Sequence, residues 1–169
     1  MCVCVNFYEN LMRKRVQHYN HKKYWKLRER VIDPNNKYPK LLKIFWLFKI
    51  KRSDAFSNAS TGAHLNYGAK FATPPVLPHG LYGIIISHNA VIGKNCSILH
   101  QVTIGEGRGG APTIGDNCTI GAGAKLTGGI KIGNNVKIGT NCVVAWDVPD
   151  NATVVMQKPR ILVKDETDK

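Results

Sequence analysis

The chain has 169 residues, 43% of them hydrophobic, with 24 Lys/Arg against 11 Asp/Glu and five cysteines. That length suits one compact unit with an appended arm, and no apolar run approaches the about 20 residues that a membrane-crossing helix needs. The cysteines (Cys2, Cys4, Cys96, Cys118, Cys142) show no C-x-x-C metal spacing.

The charge is uneven: residues 1–52 carry 14 Lys/Arg against 3 Asp/Glu, and the remainder 10 against 8. Basicity therefore belongs to an N-terminal arm, residues 1–57. Residues 1–10 lack the basic and apolar regions of a secretory signal, so a cytoplasmic location is expected. The arm reads as two helices. One runs from Glu9 to about Arg30, with Leu11, Met12, Val16, Tyr19, Trp25 and Leu27 interspersed. Asp33-Pro34-Asn35-Asn36 breaks it. The second runs from Lys40 to about Lys51 and is rich in Leu, Ile, Phe and Trp. Its apolar side is expected to pack on the rest of the chain or on a neighbouring subunit. The alternative is contact with an anionic membrane, at its inner face. Nucleic acid is not an expected partner, because no recognition motif accompanies the charge.

Residues 58–160 carry a repeat, and 161–169 form a tail. Six-residue units begin at Ile86, Ile92, Ile98, Ile104, Ile114, Ile120, Leu126, Ile132, Ile138 and Val144. The single irregularity is an inserted loop, 105–113. Position five is small or β-branched (Ala90, Cys96, Val102, Cys118, Ala124, Ile130, Val136, Cys142, Val148). Position four is mostly Asn or Gly, which tolerate the positive φ of a tight corner. A fixed six-residue period marks an all-β solenoid, a parallel β-helix, with positions one and five inward. Each buried aliphatic contributes on the order of 1.5–3 kcal/mol. Cys96 and Cys118 fall on one side of adjacent coils, as buried thiols rather than a disulfide.

A β-helix core has no chemistry, so function must come from departures from the repeat. The segment His79-Gly80-Leu81-Tyr82-Gly83-Ile84-Ile85-Ile86, with Ser97-Ile98-Leu99-His100-Gln101-Val102-Thr103-Ile104-Gly105 and Ile120-Gly121-Ala122-Gly123-Ala124-Lys125, resembles the serine acetyltransferases and their polysaccharide-modifying relatives among hexapeptide-repeat acyltransferases. The resemblance covers about residues 60–160. It implies a left-handed β-helix, a homotrimer with sites between subunits, and acetyl-CoA as co-substrate without a metal. It makes His79 the general base that takes the acceptor hydroxyl's proton as oxygen attacks the thioester. An imidazole suits that task near neutral pH. His100 is the second candidate base. Gly105, Ala122 and Thr140 match positions that line the pantetheine arm, and Lys137, Lys158 and Arg160 are placed to neutralise CoA phosphates. Arg108, in the inserted loop, and His88 are candidate acceptor contacts.

The acceptor is where the resemblance thins. The carboxylate that orients the base falls, in this chain, on His64, which becomes a candidate catalytic residue in its own right. The Asp that precedes the base and contacts serine is here Pro78. The Arg-His pair that reads the amino acid is here Gly110-Ala111. One extra residue separates His79 from Gly83, and a short arm replaces the family's long helical domain. A site for an α-amino-carboxylate needs buried charge partners, and these are missing. A sugar hydroxyl of a capsular, extracellular or lipid-linked glycan is the expected acceptor. Serine O-acetylation in cysteine biosynthesis and a catalytically silent trimeric scaffold are the alternatives. A zinc enzyme of the γ-type carbonic anhydrase kind needs an H-x4-H pair, and the sequence has none.

Overall fold

The computed structural model describes residues 19–158. Two helices, α1 (His21–Ile32) and α2 (Lys40–Phe56), precede a run of short strands. One sheet contains β4 (Ile85–Ile86), β7 (Thr103–Gly105), β10 (Lys125–Thr127) and β13 (Val143–Val144). A second contains β3 (Lys70–Phe71), β5 (Val91–Ile92), β8 (Thr113–Ile114) and β11 (Lys131–Ile132). The third contains β6 (Ser97–Ile98), β9 (Thr119–Ile120), β12 (Lys137–Ile138) and β14 (Thr153–Val154). Successive strands fall on successive sheets and pair in parallel, so the backbone winds into the left-handed β-helix implied above.

The pairing register is the hexad register. Ile86 lies beside Ile104, Ile104 beside Leu126, and Leu126 beside Val144. A coil advances 18 residues from Leu126 to Val144. The coil from Ile104 to Leu126 advances 22, because it includes the insertion, yet the aliphatic column is unbroken. Every residue assigned to positions one and five is buried. Two of the three corners follow the reading, with positive φ at Asn95, Gln101, Asn117, Gly123, Asn135 and Asn141; the third, at Asn89, Gly129 and Asp147, turns without it. Asn95, Asn117, Asn135 and Asn151 form a ladder in which each amide donates to the next oxygen at 3.0–3.3 Å. Cys96, Cys118 and Cys142 are buried free thiols. Cys96 Sγ donates to Gly115 O at 3.2 Å and Cys118 Sγ to Gly133 O at 3.1 Å.

A further coil precedes the first hexad. Ser60 bridges Ile85, Lys70–Phe71 pairs with Val91–Ile92, and Val76 bridges Ser97. Its sequence lacks the repeat because its outer side is capped by α1. Arg28, 1% exposed, is the centre of that cap. Its Nη2 donates to Thr61 O at 2.9 Å and Ala69 O at 2.7 Å. The guanidinium also lies 5.3 Å from the Trp25 ring centroid and 4.7 Å from that of Phe71. Burial holds its pKa down to about 10. Leaving this coil, β1 (Ala63–His64) folds back on β2 (Tyr67–Gly68) as a small antiparallel hairpin.

The arm differs from expectation at both helices. Within the described residues the first helix begins at His21, because Asn20 Oδ1 accepts Lys23 N at 3.0 Å and caps it there. Residues 9–18 lie outside the described residues. The second helix continues to Phe56, since Ser53 and Asp54 are buried. Tyr24 OH donates to Asp54 Oδ1 at 2.5 Å, joining the helices. The packing expected of the second helix is met in part: Ile50 is buried with Ala63 and Leu81, and Trp46 and Leu47 pack against them, whereas Leu41, Phe45 and Phe48 remain 82%, 52% and 63% exposed.

Candidate active site

His79 stands in the tight passage Pro78-His79-Gly80-Leu81-Tyr82-Gly83 that leads into the first hexad. Gly80 and Gly83 both have positive φ, 68° and 64°. Gly80 N donates to Leu77 O at 3.1 Å and Gly83 N to Ser57 O at 2.9 Å, which folds the passage over the end of α2. Tyr82 O accepts from Gln101 N at 2.9 Å, tying the turn to the next coil. That tie brings His100 to His79. Their rings meet edge to face, with centroids 4.9 Å apart and planes at 89°.

Both imidazoles line a cleft of about 380 Å³ with Tyr19, Phe56, Ser57, Leu81 and Tyr82. His79 is exposed and His100 half-buried. His100 Nδ1 is buried without a hydrogen-bond partner. A buried ring nitrogen normally has one. No carboxylate lines the cleft among the described residues. Among the described residues the His79 ring meets that of His100, and its backbone lies in the turn before Gly80.

The other candidates separate into three places. Ile98, Ile120 and Ile138 are in register, so His100, Ala122 and Thr140, each two residues further on, occupy one corner of three successive coils. The column runs from the His79 cleft towards the C-terminal coils, at roughly 4.8 Å per coil. Gly105 is on β7, and Lys137 is exposed on β12 beside the column. Lys158 is exposed, and Arg160 lies outside the described residues.

His64 is placed elsewhere. It is in β1, and its ring stacks on Tyr67 at 4.7 Å and 5° and meets His88 edge on at 5.5 Å. Tyr67 and His88 line a different cleft, about 620 Å³, with Glu29, Asp33 and Lys70. The structure thus brings His64 and His88 to each other rather than to His79.

The inserted loop is a tight turn closed by reciprocal bonds between Gly107 and Gly110, 2.9 and 3.1 Å. It is pinned to its neighbours: Gly129 N donates to Arg108 O at 3.0 Å, and the Glu106 carboxylate accepts from Asn89 Nδ2 at 3.1 Å. Arg108 presents an exposed side chain outside the His79 cleft. Sequence reasoning missed Tyr19 and Tyr82 as cleft walls: Tyr19 belongs to no motif, and Tyr82, inside the motif that begins at His79, was given no role.

Residues 111–145 match the family of bacterial transferase hexapeptide (six repeats). The match and the coil geometry define a hexapeptide-repeat protein. Within that class the chain is similar to the serine acetyltransferases. The Entamoeba histolytica serine acetyltransferase 1 in complex with L-cysteine is 31% identical over 66% of this chain and 44% of its own, with a TM-score of 0.57. That of Neisseria gonorrhoeae is 34% identical over 74% and 46%, with a TM-score of 0.56. A serine acetyltransferase in complex with CoA is 30% identical over 78% and 51%, with a TM-score of 0.58. The chain thus spans about half the length of these relatives. No curated protein matches by sequence.

Proposed function

We propose that the protein is an acetyl-CoA-dependent O-acetyltransferase whose acceptor is a sugar hydroxyl of a glycan. The observation that carries this reading is the His79–His100 pair at the mouth of the cleft. A hydroxyl is a poor nucleophile, and a thioester needs no acyl-enzyme to be reactive. The chain has only to bind both substrates, orient them and remove one proton. His79 takes the acceptor proton as the oxygen attacks the acetyl carbonyl. The tetrahedral adduct then collapses, the C–S bond breaks, and CoA leaves as the thiol after receiving a proton. The His100–Ala122–Thr140 column suits the extended pantetheine arm, and Lys137 and Lys158 are suited to its phosphates.

Pro78, Gly110 and Ala111 support a sugar hydroxyl over an amino acid, because none can pair with an α-amino-carboxylate. Serine is the second reading, favoured by the likeness to serine acetyltransferases. A homotrimer is supported by the exposed Ile85, Val143 and Trp146 on the outer faces of the coils. A cytoplasmic enzyme at an anionic membrane face is supported by the basic arm and by the exposed apolar residues of α2.

The test is CoA release from acetyl-CoA by the purified protein, offered L-serine, free sugars and nucleotide sugars in turn. Turnover with a sugar and none with serine is the expected result. Turnover with serine at millimolar concentration overturns the acceptor assignment.

A further inference from the structure

A second cleft, about 330 Å³, opens between the two helices and is lined by Tyr19, Asn20, Lys23, Lys49, Arg52 and Ser53 among others. Lys23, Lys49 and Arg52 are exposed, and no acidic partner pairs with them among the described residues. The cleft includes the N-terminal turn of α1, a helix of 12 residues with no acidic side chain in its first turn. Asn20 Oδ1 takes the N–H of Lys23 there, but no carboxylate offsets the dipole of that end, which favours an anion. Asp54, bonded to the lining Tyr24, is buried, and burial raises its pKa towards the neutral form.

Tyr19 lines both this cleft and the one holding His79 and His100. The two clefts are therefore neighbours that share the Tyr19 side chain as a common wall. We propose that the cleft between α1 and α2 binds a phosphoryl group of the acceptor, so that the substrate is a phosphate- or diphosphate-linked sugar rather than a finished neutral polysaccharide. The inference rests on the acetyltransferase reading and deepens it. The acceptor is the source of the phosphate because of direction. The column from His100 to Thr140 leads towards the C-terminal coils, whereas α1 and α2 sit on the first coil, at the opposite end. Acetyl-CoA and acceptor thus approach His79 from opposite sides.

The test is calorimetric titration of inorganic pyrophosphate, and separately of CoA, into the wild type, His79→Ala and a Lys23→Gln/Lys49→Gln/Arg52→Gln triple variant. All three replaced side chains are exposed, so the fold tolerates their loss. Pyrophosphate is expected to bind wild type and His79→Ala equally, and at least tenfold more weakly to the triple variant, with CoA affinity unchanged. Equal pyrophosphate affinity in all three proteins, or no binding to the wild type, overturns the proposal. A parallel loss of CoA affinity assigns the cleft to CoA and also overturns it. Loss of binding to phosphatidylglycerol vesicles with pyrophosphate affinity intact assigns the cations to a lipid surface and overturns it as well. Because these readouts need no turnover, binding survives a failure of the catalytic reading. If turnover is found, the triple variant raises KM at least tenfold for a sugar phosphate and leaves that for the free sugar unchanged.

Discussion

The His79 and His100 rings stand perpendicular, 4.9 Å between centroids, although the residues belong to different coils. The contact divides their roles. His79 is exposed on the turn that contains Gly80 and Gly83 and His100 is half-buried, so on the function proposed above His79 is the base and His100 its brace. His79→Ala is expected to lower CoA release by about 10²–10⁴-fold, the usual contribution of a general base. His100→Gln is expected to cost less, about 10–100-fold, equivalent to one or two hydrogen bonds. Steady-state kinetics on both variants checks the order. A greater loss at His100 would reverse the assignment.

Arg28 carries the junction between arm and β-helix. Arg28→Ala leaves two buried carbonyls, Thr61 O and Ala69 O, without their donor. An unsatisfied buried group costs about 1–3 kcal/mol. At about 2–4 °C per kcal/mol for a chain of this size, the melting midpoint should fall by roughly 5–15 °C. A midpoint within about 1 °C of wild type, under the shift expected for one lost bond, would show that the capping helices are held without it.

Two glycines of the repeat separate packing from binding. A Cβ on Gly121 would stand 2.7 Å from Ile138 O, whereas on Gly105 nothing lies nearer than 3.7 Å. Gly121→Ala is expected to destabilise the coils, and Gly105→Ala to leave the melting midpoint unchanged. If the Gly105 backbone lines the pantetheine arm, Gly105→Ala also raises KM for acetyl-CoA severalfold. Melting curves and acetyl-CoA saturation curves together test both halves.

His64 predicts a pH effect. Desolvation lowers its pKa, with Lys51 and His88 adding to it. The unfolded imidazole protonates near pH 6.5, so as the pH falls the unfolded chain binds the proton first. The stability is fully present above about 6.5 and is lost as the pH drops from there through the folded value. His21, lowered by desolvation, acts with the same sign, while Asp54, raised by burial, acts with the opposite one. The melting midpoint should therefore decline between about pH 7 and pH 5.5, and less steeply in His64→Gln. Identical slopes would remove His64 from the account.

The exposed row of α2 makes a membrane prediction. Replacing Phe45 and Phe48 with Ser should at least halve sedimentation with vesicles containing phosphatidylglycerol, while the melting midpoint holds, because neither ring is buried. If the wild type itself fails to sediment with such vesicles, the row has another partner.

Much of the fold was legible because a β-helix is nearly one-dimensional. The hexads named the inward residues, and position-four asparagines named the corners, since both follow from local geometry. The coil before Ile86 was not legible. Its interior is set by Ala63, Ala69 and the stacked Arg28, and no period survives there. Arg28 itself is indistinguishable by composition from the solvated cations around it. His64 misled for a related reason: the Ala63–Gly68 hairpin carries it out of the coil, so its distance along the chain from His79 does not become proximity in space.

The Arg28 cap has a consequence for how the molecule survives at high concentration. The first coil of a parallel solenoid presents an edge of unpaired amides and carbonyls, able to recruit another chain's strands and propagate into fibres. Here two of those carbonyls are already taken by a guanidinium, and aromatic rings cover the open core beside them. The arm thus makes the stack finite at that end, a terminator against polymerisation.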